Sequence, residues 1–344
     1  MYCNSCQGII GKDDLTYCEQ CHAPLHKSCA NHCLECGKTL CDTCFAENNF
    51  KCEECNTPDE MFKVIRRSHI EQYVGCPYSI YLQLVLGIEP PMGRHAQLGV
   101  IVHEIIDKMS EHDISLEEAK NEMYEKILEW NINNDGEYSL IDNELIQTGE
   151  ICLENFFLIK DEFPKEFLSE YNIRYSIDDN LPTISCTLDR ITNTNGRLDI
   201  HDWKTGKPMA GKKLVTDLQP PLYIYGVYKE FGKWVDSFTL HYLKPNKHIT
   251  YKHTGNGQYV VQTKKNTYTL NVEEKVEEVK KILEDIKHKK FNMPNENTSS
   301  WRCKNMCWFG TSGKCQGVQA EQWKQLKNKK RNKVGKQIKS TFGM

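Results

Sequence analysis

The sequence TISCTLDRI (residues 183–191) is followed by RLDIHDWKTGK (residues 197–207) and then by QPPLY (residues 219–223). The first two segments alternate apolar and polar residues, which is typical of β-strands. Asp189 lies near the end of the first segment, and Asp202 and Lys204 lie in the second. Because residues two apart on a strand project from the same face, Asp202 and Lys204 are expected to point the same way.

The segment NTNG (residues 193–196) between the two strands is a hairpin signal. Asp189 and Asp202 are therefore expected on neighbouring antiparallel strands, within reach of one ion. Carboxylate oxygens suit Mg²⁺ or Mn²⁺, which polarise a phosphoryl oxygen and acidify a bound water. The ammonium group of Lys204 can orient that water or offset developing charge. This combination of groups suits the hydrolysis of a phosphodiester.

Two further motifs flank these strands. Upstream, Gly99 and His103 belong to a segment with helical periodicity, and downstream Gln219 and Tyr223 are spaced for one face of a helix. An isolated Asp-x-Lys is an ordinary strand end in most proteins, but here it stands among these motifs in a fixed order. In that order the chain resembles the PD-(D/E)xK nuclease superfamily. It specifically resembles the RecB-like branch, which includes the CRISPR-associated RecB-like exonucleases and the nuclease domain of the AddAB helicase-nuclease.

The resemblance implies a fold and a role for each motif residue. The fold is α/β, a mixed-sheet restriction-endonuclease-like core flanked by helices, with a small N-terminal zinc-binding module. Cys186 stands where the family often has glycine, which bears on strand packing more than on chemistry. The implied roles are metal ligand for His103, Asp189, Asp202 and the carbonyl of Trp203, catalytic lysine for Lys204, and site ordering with DNA contact for Gln219 and Tyr223.

Length, charge and hydropathy limit the class of protein. The 344 residues allow two or three domains, and no apolar run of about 18 residues predicts a membrane span. The N-terminal segment MYCNSC does not resemble a signal peptide, so a cytoplasmic location is expected. The net charge of −3 is unevenly distributed, since residues 324–339 contain eight Lys or Arg whereas residues 117–179 are rich in Glu and Asp.

Eleven of the seventeen cysteines precede residue 56. Cysteines in C-x-x-C pairs are much more often metal ligands than disulfides when no secretory signal precedes them. So short a segment, poor in aliphatic residues, cannot build a core without metal. Residues 1–56 are predicted to bind three zinc ions through six pairs: Cys3 and Cys6, Cys18 and Cys21, His26 and Cys29, Cys33 and Cys36, Cys41 and Cys44, and Cys52 and Cys55.

The pair spacing resembles the cross-braced zinc folds of the RING, PHD and FYVE type. The basic residues that a FYVE core uses to hold an inositol phosphate are missing, since Asn31, Leu34 and Glu35 stand there, and lipid binding is not predicted. The sequence leaves open which pair joins which, and His22 competes with His26 as a ligand. Docking of a helicase or another protein is the favoured role. DNA binding and a ubiquitin-ligase-like activity are alternatives.

A second group of cysteines flanks the nuclease motifs. Cys76 precedes Pro77 and a tyrosine-rich helix, and Cys303, Cys307 and Cys315 follow near the C-terminus. RecB-like nucleases that carry an iron–sulfur cluster have one cysteine before these motifs and three after them. The resemblance therefore implies a [4Fe-4S] cluster at these four residues, although their spacing departs from the tighter family pattern. Because thiolates bind both metals, a fourth zinc ion is the open alternative.

The sequence predicts a zinc-binding module at residues 1–56, a linker at 57–66, a nuclease domain with cluster-binding ends at 67–319 and a basic tail at 320–344. Helices are predicted at residues 99–109, 115–130, 144–159 and 272–289, the last of them solvated. Strands are predicted at residues 170–177, 183–191, 196–203 and 234–243, and a hairpin at 250–265.

The resemblance implies a Mg²⁺- or Mn²⁺-dependent deoxyribonuclease, expected to be an exonuclease on single-stranded DNA ends, in DNA repair, recombination or defence. The basic tail around Trp323 is expected to follow the phosphates and to make binding salt-dependent. A competing hypothesis is an adaptor whose nuclease-like domain binds nucleic acid without cutting it. All expected catalytic positions are filled, which argues against that alternative.

Overall fold

A computed structural model describes residues 2–11, 13–33, 37–47, 52, 62–133, 140, 142–165, 167–292, 303 and 305–315. The chain divides into two compact units. One, here called the cysteine unit, contains residues 1–63, 72–89 and 284–344, and the other, the sheet unit, contains residues 64–71 and 90–283. In the part of the chain that the structure describes, no helix is long and apolar enough to cross a membrane.

The N-terminal part of the cysteine unit has little regular structure. Its elements are β1 Leu15–Tyr17, β2 Pro24–His26, β3 Asn31–His32, β4 Thr39–Leu40 and helix α1 Asp42–Glu47. Strands β1 and β2 pair antiparallel, as do β3 and β4. The interior consists mostly of cysteines, with Leu25 and Leu40 as fully buried aliphatic residues. So small an apolar core agrees with the expectation that metal supplies the folding energy.

Aromatic contacts join three distant segments of the cysteine unit. Helix α2 Arg67–Gly75 is followed by α3 Pro77–Ile80 and a π-helical turn at Tyr81–Val85. The ring of Phe291 lies 5.6 Å from that of Phe62, 6.4 Å from Tyr73 and 6.2 Å from Tyr81. The Tyr73 hydroxyl also donates to the carbonyl of Lys290 at 2.8 Å. The segment around Cys76 is thereby held next to a segment 200 residues later in the chain.

The sheet unit is built on an eight-stranded mixed sheet. Its strands are β5 Val64–Arg66, β6 Phe167–Tyr175, β7 Thr183–Thr194, β8 Arg197–Lys204, β9 Ser237–Tyr242, β10 Lys247–Gly255, β11 Gln258–Gln262 and β12 Thr267–Asn271. The order across the sheet is β12-β11-β10-β9-β8-β7-β5, and β6 also pairs with β7. Strand β8 runs antiparallel to β7 and parallel to β9. This architecture confirms the predicted mixed α/β fold class.

Both hairpins predicted from Asn-Gly signals are present. Asn195 and Gly196 connect β7 to β8 with φ of 52° and 82°, and Asn256 and Gly257 connect β10 to β11 with φ of 47° and 68°. Asparagine and glycine tolerate this left-handed conformation, which two-residue hairpin turns require. The turn at 195–196 sets the register of the strands that carry Asp189 and Asp202.

Three helices pack over one another beside the sheet. They are α4 Arg94–Glu111, α5 Leu116–Asn133 and α6 Asn143–Ile159. The predicted capping box opens α5, because the Ser115 hydroxyl accepts from the Glu118 N–H at 3.2 Å and the Glu118 carboxylate accepts from the Ser115 N–H at 2.8 Å. Their buried faces form one apolar cluster that also contains Trp203 of β8. This packing fixes α4, and with it His103, against the strands.

Two short helical elements follow β8, namely α7 Lys213–Thr216 and α8 Gln219–Phe231. Helix α8 approaches β6 closely at Gly226, where an added Cβ would lie 2.7 Å from the ring of Tyr175. The Tyr175 hydroxyl donates to the carbonyl of Leu222 at 2.8 Å. A glycine at this position lets α8 lie close enough to the sheet for its first turn to reach the end of β8.

Three features of the fold differ from the sequence prediction. Strand β5 lies in the expected linker and pairs parallel to the start of β7, and β12 was not predicted. Both are short, and neither has a long alternating pattern. Helix α9 Val272–Lys287 was predicted to be solvated, but its residues Val276 and Leu283 are buried. Its Glu and Lys residues form the exposed face of an amphipathic helix.

Candidate active site and metal centres

Strands β7 and β8 separate at the point where the two aspartates lie. The antiparallel ladder between them begins at the turn and ends where Arg190 lies opposite His201. Beyond it, the same edge of β7 pairs with β5 from Thr183 to Ser185. The backbone N–H of Trp203 therefore has no ladder partner on β7, and it donates to the Asp189 carboxylate at 2.7 Å. This opening gives Asp189 and Asp202 room to face a common site.

Asp202 is 1% exposed and is held by two neighbours. The Lys204 ammonium lies 2.6 Å from Asp202 Oδ2, as expected for side chains on the same face of β8. The Gln219 side-chain amide donates to Asp202 Oδ1 at 2.6 Å, because α8 begins at Gln219 and points its first turn at the strand. The structure thus brings together the predicted Asp-x-Lys motif and the first residue of the Gln-x-x-x-Tyr motif.

His103 and Asp189 also meet. His103 lies in the middle of α4, and its Nδ1 is 3.5 Å from Asp189 Oδ2. The indole ring of Trp203 points away from the carboxylates into an aromatic cluster, 5.2 Å from the ring of Phe156 and 4.7 Å from that of His241. The packing of Trp203 therefore fixes the strand that carries both Asp202 and Lys204.

The site alternates negative and positive groups. Burial raises the pKa of Asp202, and the charge of Asp189 raises it further while Lys204 opposes the shift. Burial would also raise the pKa of Asp189, but His103 and Lys204 hold that pKa below its usual range. Burial would lower the pKa of His103, yet Asp189 outweighs it and raises this pKa to about 9. Two cationic side chains thus balance two buried carboxylates.

Tyr223 lies one turn after Gln219 on α8, and its ring is 5% exposed. The guanidinium of Arg67, at the start of α2, lies 5.5 Å from the centroid of this ring. Burial raises the pKa of Tyr223, and Arg67 opposes that shift. No motif or periodicity in the sequence marks Arg67 as a site residue. Its position is set by β5, which ends one residue earlier.

The arrangement of these side chains can be compared with known proteins. A sequence model described as the PD-(D/E)XK nuclease superfamily matches residues 67–312, which is most of the chain. The chain belongs to this superfamily. Members of the PD-(D/E)XK superfamily are mostly metal-dependent nucleases, so a divalent metal and a nucleic-acid substrate are implied.

A solved structure titled "Crystal structure of SSO0001" is similar to this PD-(D/E)XK chain. The two share 16% sequence identity, with a TM-score of 0.30, and the similarity covers 71% of this chain and 95% of that one. The comparison with curated proteins finds no match.

The residues at the site fit the divalent metal that the PD-(D/E)XK superfamily implies. Carboxylate oxygens and one imidazole are the donors that Mg²⁺ and Mn²⁺ accept. Asp202 Oδ2 is completely buried and lies 2.6 Å from the Lys204 ammonium. The buried carboxylates of Asp189 and Asp202 and the imidazole of His103 are the donors that such an ion would use.

Glu170 is a site residue that the sequence did not indicate. It lies on β6 opposite β7, and its carboxylate, His103 and Asp189 bring donor atoms within 4.8 Å of one another. Asp107 lies one helical turn after His103 and is close enough to Glu170 for the charge of Glu170 to affect its ionisation. Burial raises the pKa of Asp107 to about 7, and Glu170 adds to this shift. Glu170 was within a predicted strand, but neither its neighbours nor its spacing mark it as a ligand.

Three of the N-terminal cysteines form a compact set with His26. The donor atoms of Cys3, Cys6, His26 and Cys29 lie within 4.8 Å of one another. Cys6 Sγ is 3.3 Å and Cys29 Sγ is 3.9 Å from His26 Nδ1, while His26 Nε2 is 3.2 Å from the carbonyl of Ile9. A backbone carbonyl at Nε2 leaves Nδ1 as the metal-binding nitrogen. His22, the other candidate, is not in this set.

A second set contains Cys18, Cys21, Cys41 and Cys44, again within 4.8 Å. Cys21 Sγ and Cys41 Sγ are 3.7 Å apart, and two thiolates of a tetrahedral zinc site are expected about 3.8 Å apart. The two sets interleave along the sequence, as in the predicted cross-braced folds. Of the remaining pairs, Cys33 and Cys52 are buried, and Cys36 and Cys55 lie outside the described residues.

The four cysteines that flank the nuclease motifs all belong to the cysteine unit. Burial raises the pKa of Cys76, and the charges of Cys303, Cys315 and Cys307 contribute to this shift in that order. Helix α10 Trp308–Thr311 lies between the last two of these cysteines. Cys76 is therefore an electrostatic neighbour of the three cysteines near the C-terminus, across more than 200 residues of sequence.

Proposed function

We propose that this chain is a Mg²⁺- or Mn²⁺-dependent DNA nuclease of the RecB-like branch of its superfamily. The observation that carries the proposal is the meeting of Asp202, Lys204 and Gln219, with separations of 2.6 Å, beside Asp189 and His103. Asp202 and Lys204 belong to the Asp-x-Lys motif, and Gln219 begins the Gln-x-x-x-Tyr motif. Asp189 and His103 come from the strand and the helix that precede these motifs in the chain. If this place had no function, the fold would not need the buried carboxylates of Asp189 and Asp202 to face each other.

The proposed metal ligands are His103, Asp189, Asp202 and the backbone carbonyl of Trp203. When bound, the ion would polarise the phosphoryl oxygen and lower the pKa of the attacking water. Asp189 is kept ionised by His103 and by the Trp203 N–H. Neutral imidazole is the form that binds metal, so the raised pKa of His103 would return toward its ordinary value with a cation in place.

The remaining side chains would position the reacting groups. Lys204 would orient the attacking water or offset charge that develops on the phosphate, which needs the ammonium form that Asp202 maintains. Gln219 would hold the Asp202 carboxylate in a fixed orientation. Tyr223, together with Arg67, would contact the DNA backbone. Hydrolysis in this way leaves a 3′-hydroxyl and a 5′-phosphate.

We further propose that Cys76, Cys303, Cys307 and Cys315 hold a [4Fe-4S] cluster, with zinc as the alternative. Four thiolates and no histidine suit such a cluster, and the charges of the other three cysteines contribute to the raised pKa of Cys76. Residues 1–56 would bind zinc and dock a partner protein such as a helicase. The cytoplasm is the proposed location, because C-x-x-C pairs that bind metal are typical of proteins in a reducing compartment.

The proposed substrate is single-stranded DNA with free ends, processed during repair, recombination or defence. The test is incubation of the zinc-loaded protein with end-labelled single- and double-stranded DNA and Mn²⁺. Asp202→Ala is expected to abolish cleavage while DNA affinity changes little, because the carboxylate binds the ion and not the DNA. Asp199→Ala, on the same strand but near the hairpin turn, is the matched control and should cleave like the wild type.

Two outcomes would contradict the proposal. Cleavage by Asp202→Ala at the wild-type rate would remove the assigned site. Tight binding of DNA by the wild-type protein with no cleavage under any divalent metal would favour an adaptor that binds nucleic acid. An absorbance band at about 400 nm after anaerobic purification would support the iron–sulfur cluster. A colourless protein that contains a fourth zinc ion would contradict the proposed iron–sulfur cluster.

A further inference from the structure

Glu170 lies on the opposite side of Asp189 from the Asp-x-Lys motif. Strand β6 pairs with β7 on both sides of Glu170, with Ser169 opposite Arg190 and Tyr171 opposite Leu188. Glu170 therefore lies opposite Asp189 itself. It is exposed and has a φ of 43°, in the left-handed region that glutamate rarely adopts. In this stretch of the ladder, Glu170 is the residue of β6 with a left-handed backbone, and it lies opposite Asp189.

Three elements contribute donors at this place. His103 comes from α4, Glu170 from β6 and Asp189 from β7, and their donor atoms lie within 4.8 Å of one another. An ion that contacts donors at 2.0–2.6 Å requires its ligands to be about 3 to 5 Å apart. The set differs from a surface group of acidic residues, because one member is an imidazole and Asp189 is 8% exposed.

Further charged groups surround this place. Asp202, on the other side of Asp189, is buried, and its Oδ2 lies 2.6 Å from the Lys204 ammonium. Asp202 and Asp189 are close enough that each affects the ionisation of the other. Asp107 adds a further carboxylate beside Glu170. Asp189 contacts His103 and Asp202 contacts Lys204, and the charges of Arg67 and Arg190 also act on Asp202 and Asp107.

We propose that Glu170 is a further ligand of the divalent ion at the active site, beside His103 and Asp189. Glu170 presents an exposed carboxylate whose oxygen lies within 4.8 Å of the donor atoms of both residues. A site of two carboxylates and one imidazole favours Mn²⁺ over Mg²⁺, since Mg²⁺ prefers oxygen donors alone. This inference rests on the proposed function in one respect, because both involve the same divalent ion.

The test measures Mn²⁺ binding directly. The zinc-loaded full-length protein is titrated with Mn²⁺, and the free ion is followed by its electron paramagnetic resonance signal. Glu170→Gln is expected to weaken Mn²⁺ binding by about tenfold or more, as loss of metal-site partners commonly does. Glu104→Gln is the matched control, because Glu104 lies on α4 next to His103 but pairs with Lys126 at 2.7 Å. It should bind Mn²⁺ within about twofold of the wild type.

The outcomes separate this inference from the nuclease proposal. Wild-type Mn²⁺ affinity in Glu170→Gln, with cleavage intact, would overturn the role of Glu170 and leave the nuclease standing. Weakened binding in Glu170→Gln, with no DNA cleavage by the wild type, would support the ligand and contradict the nuclease. Since Glu170 is exposed, the substitution should not disturb folding, and an unchanged melting temperature without Mn²⁺ checks this.

Discussion

The sheet unit and the N-terminal zinc module hold their metal-binding side chains in different ways. In the sheet unit, Asp189 and Asp202 are carried by long strands whose other residues form an apolar core with the helices. In the module, strands of two or three residues surround the cysteines, and the cysteines themselves are the interior. The sheet would position its carboxylates without metal, whereas the module needs metal to have a fold. The difference assigns the metal a chemical role in one region and a structural role in the other.

The largest expected effect is loss of the module when zinc is removed. Structural zinc contributes on the order of 10–16 kcal/mol to such folds, so Cys18→Ser should expose residues 13–47 to protease. Residues 167–271 of the sheet unit should keep their protection. Limited proteolysis with mass spectrometry measures both regions in one sample. Cys152→Ser, buried in the apolar core of the sheet unit, is the control and should leave the zinc content unchanged.

A protected N-terminal region in Cys18→Ser, with its zinc confirmed absent by metal analysis, would contradict the comparison. It would mean that the apolar residues Leu25 and Leu40 suffice to fold the module.

A smaller effect is expected from a cavity in the sheet unit. Phe156 is fully buried, and its ring packs 5.2 Å from that of Trp203 on strand β8. Phe156→Ala should lower the free energy of unfolding by about 3–5 kcal/mol while zinc content stays constant. Leu158→Ala, at a position 72% exposed, should change it by less than about 0.5 kcal/mol. Denaturant titration followed by tryptophan fluorescence is the measurement, and equal losses in both variants would contradict the assigned core.

The smallest effect concerns Glu170 and should be stabilising. Its left-handed backbone costs a glutamate about 1 kcal/mol, and asparagine tolerates that conformation. Glu170→Asn should therefore melt about 2–4 °C higher than Glu170→Gln in the absence of Mn²⁺, although both lack the carboxylate. Equal melting temperatures would show that the backbone at residue 170 is unstrained. A glutamate in a left-handed conformation is expected where function, and not stability, retains the residue.

The sequence was informative where local patterns decide structure. The Asn-Gly turn, the period of α4 and the spacing of Gln219 and Tyr223 each depend on neighbours in the chain, and the structure has all three. It was uninformative where distant contacts decide. Glu170 becomes a site residue only because β6 pairs with β7, and Arg67 only because β5 pairs with the start of β7.

The zinc ligands show the same limit. Their spacing predicts pairs but not partners, since any pair can join any other through space. The structure joins the first pair to the third and the second to the fifth. The choice between His22 and His26 likewise depends on the carbonyl of Ile9, which reaches His26 through the fold.

The most direct test of the proposed nuclease is the cleavage rate of Lys204→Ala. Single-turnover cleavage of end-labelled single-stranded DNA is measured with saturating Mn²⁺ for this variant, the wild type and Lys207→Ala. The account predicts a loss of about 10²-fold or more for Lys204→Ala, because its ammonium lies 2.6 Å from Asp202, and no loss for the exposed Lys207 variant. Equal rates for all three proteins would contradict the assignment of this site as the place of cleavage.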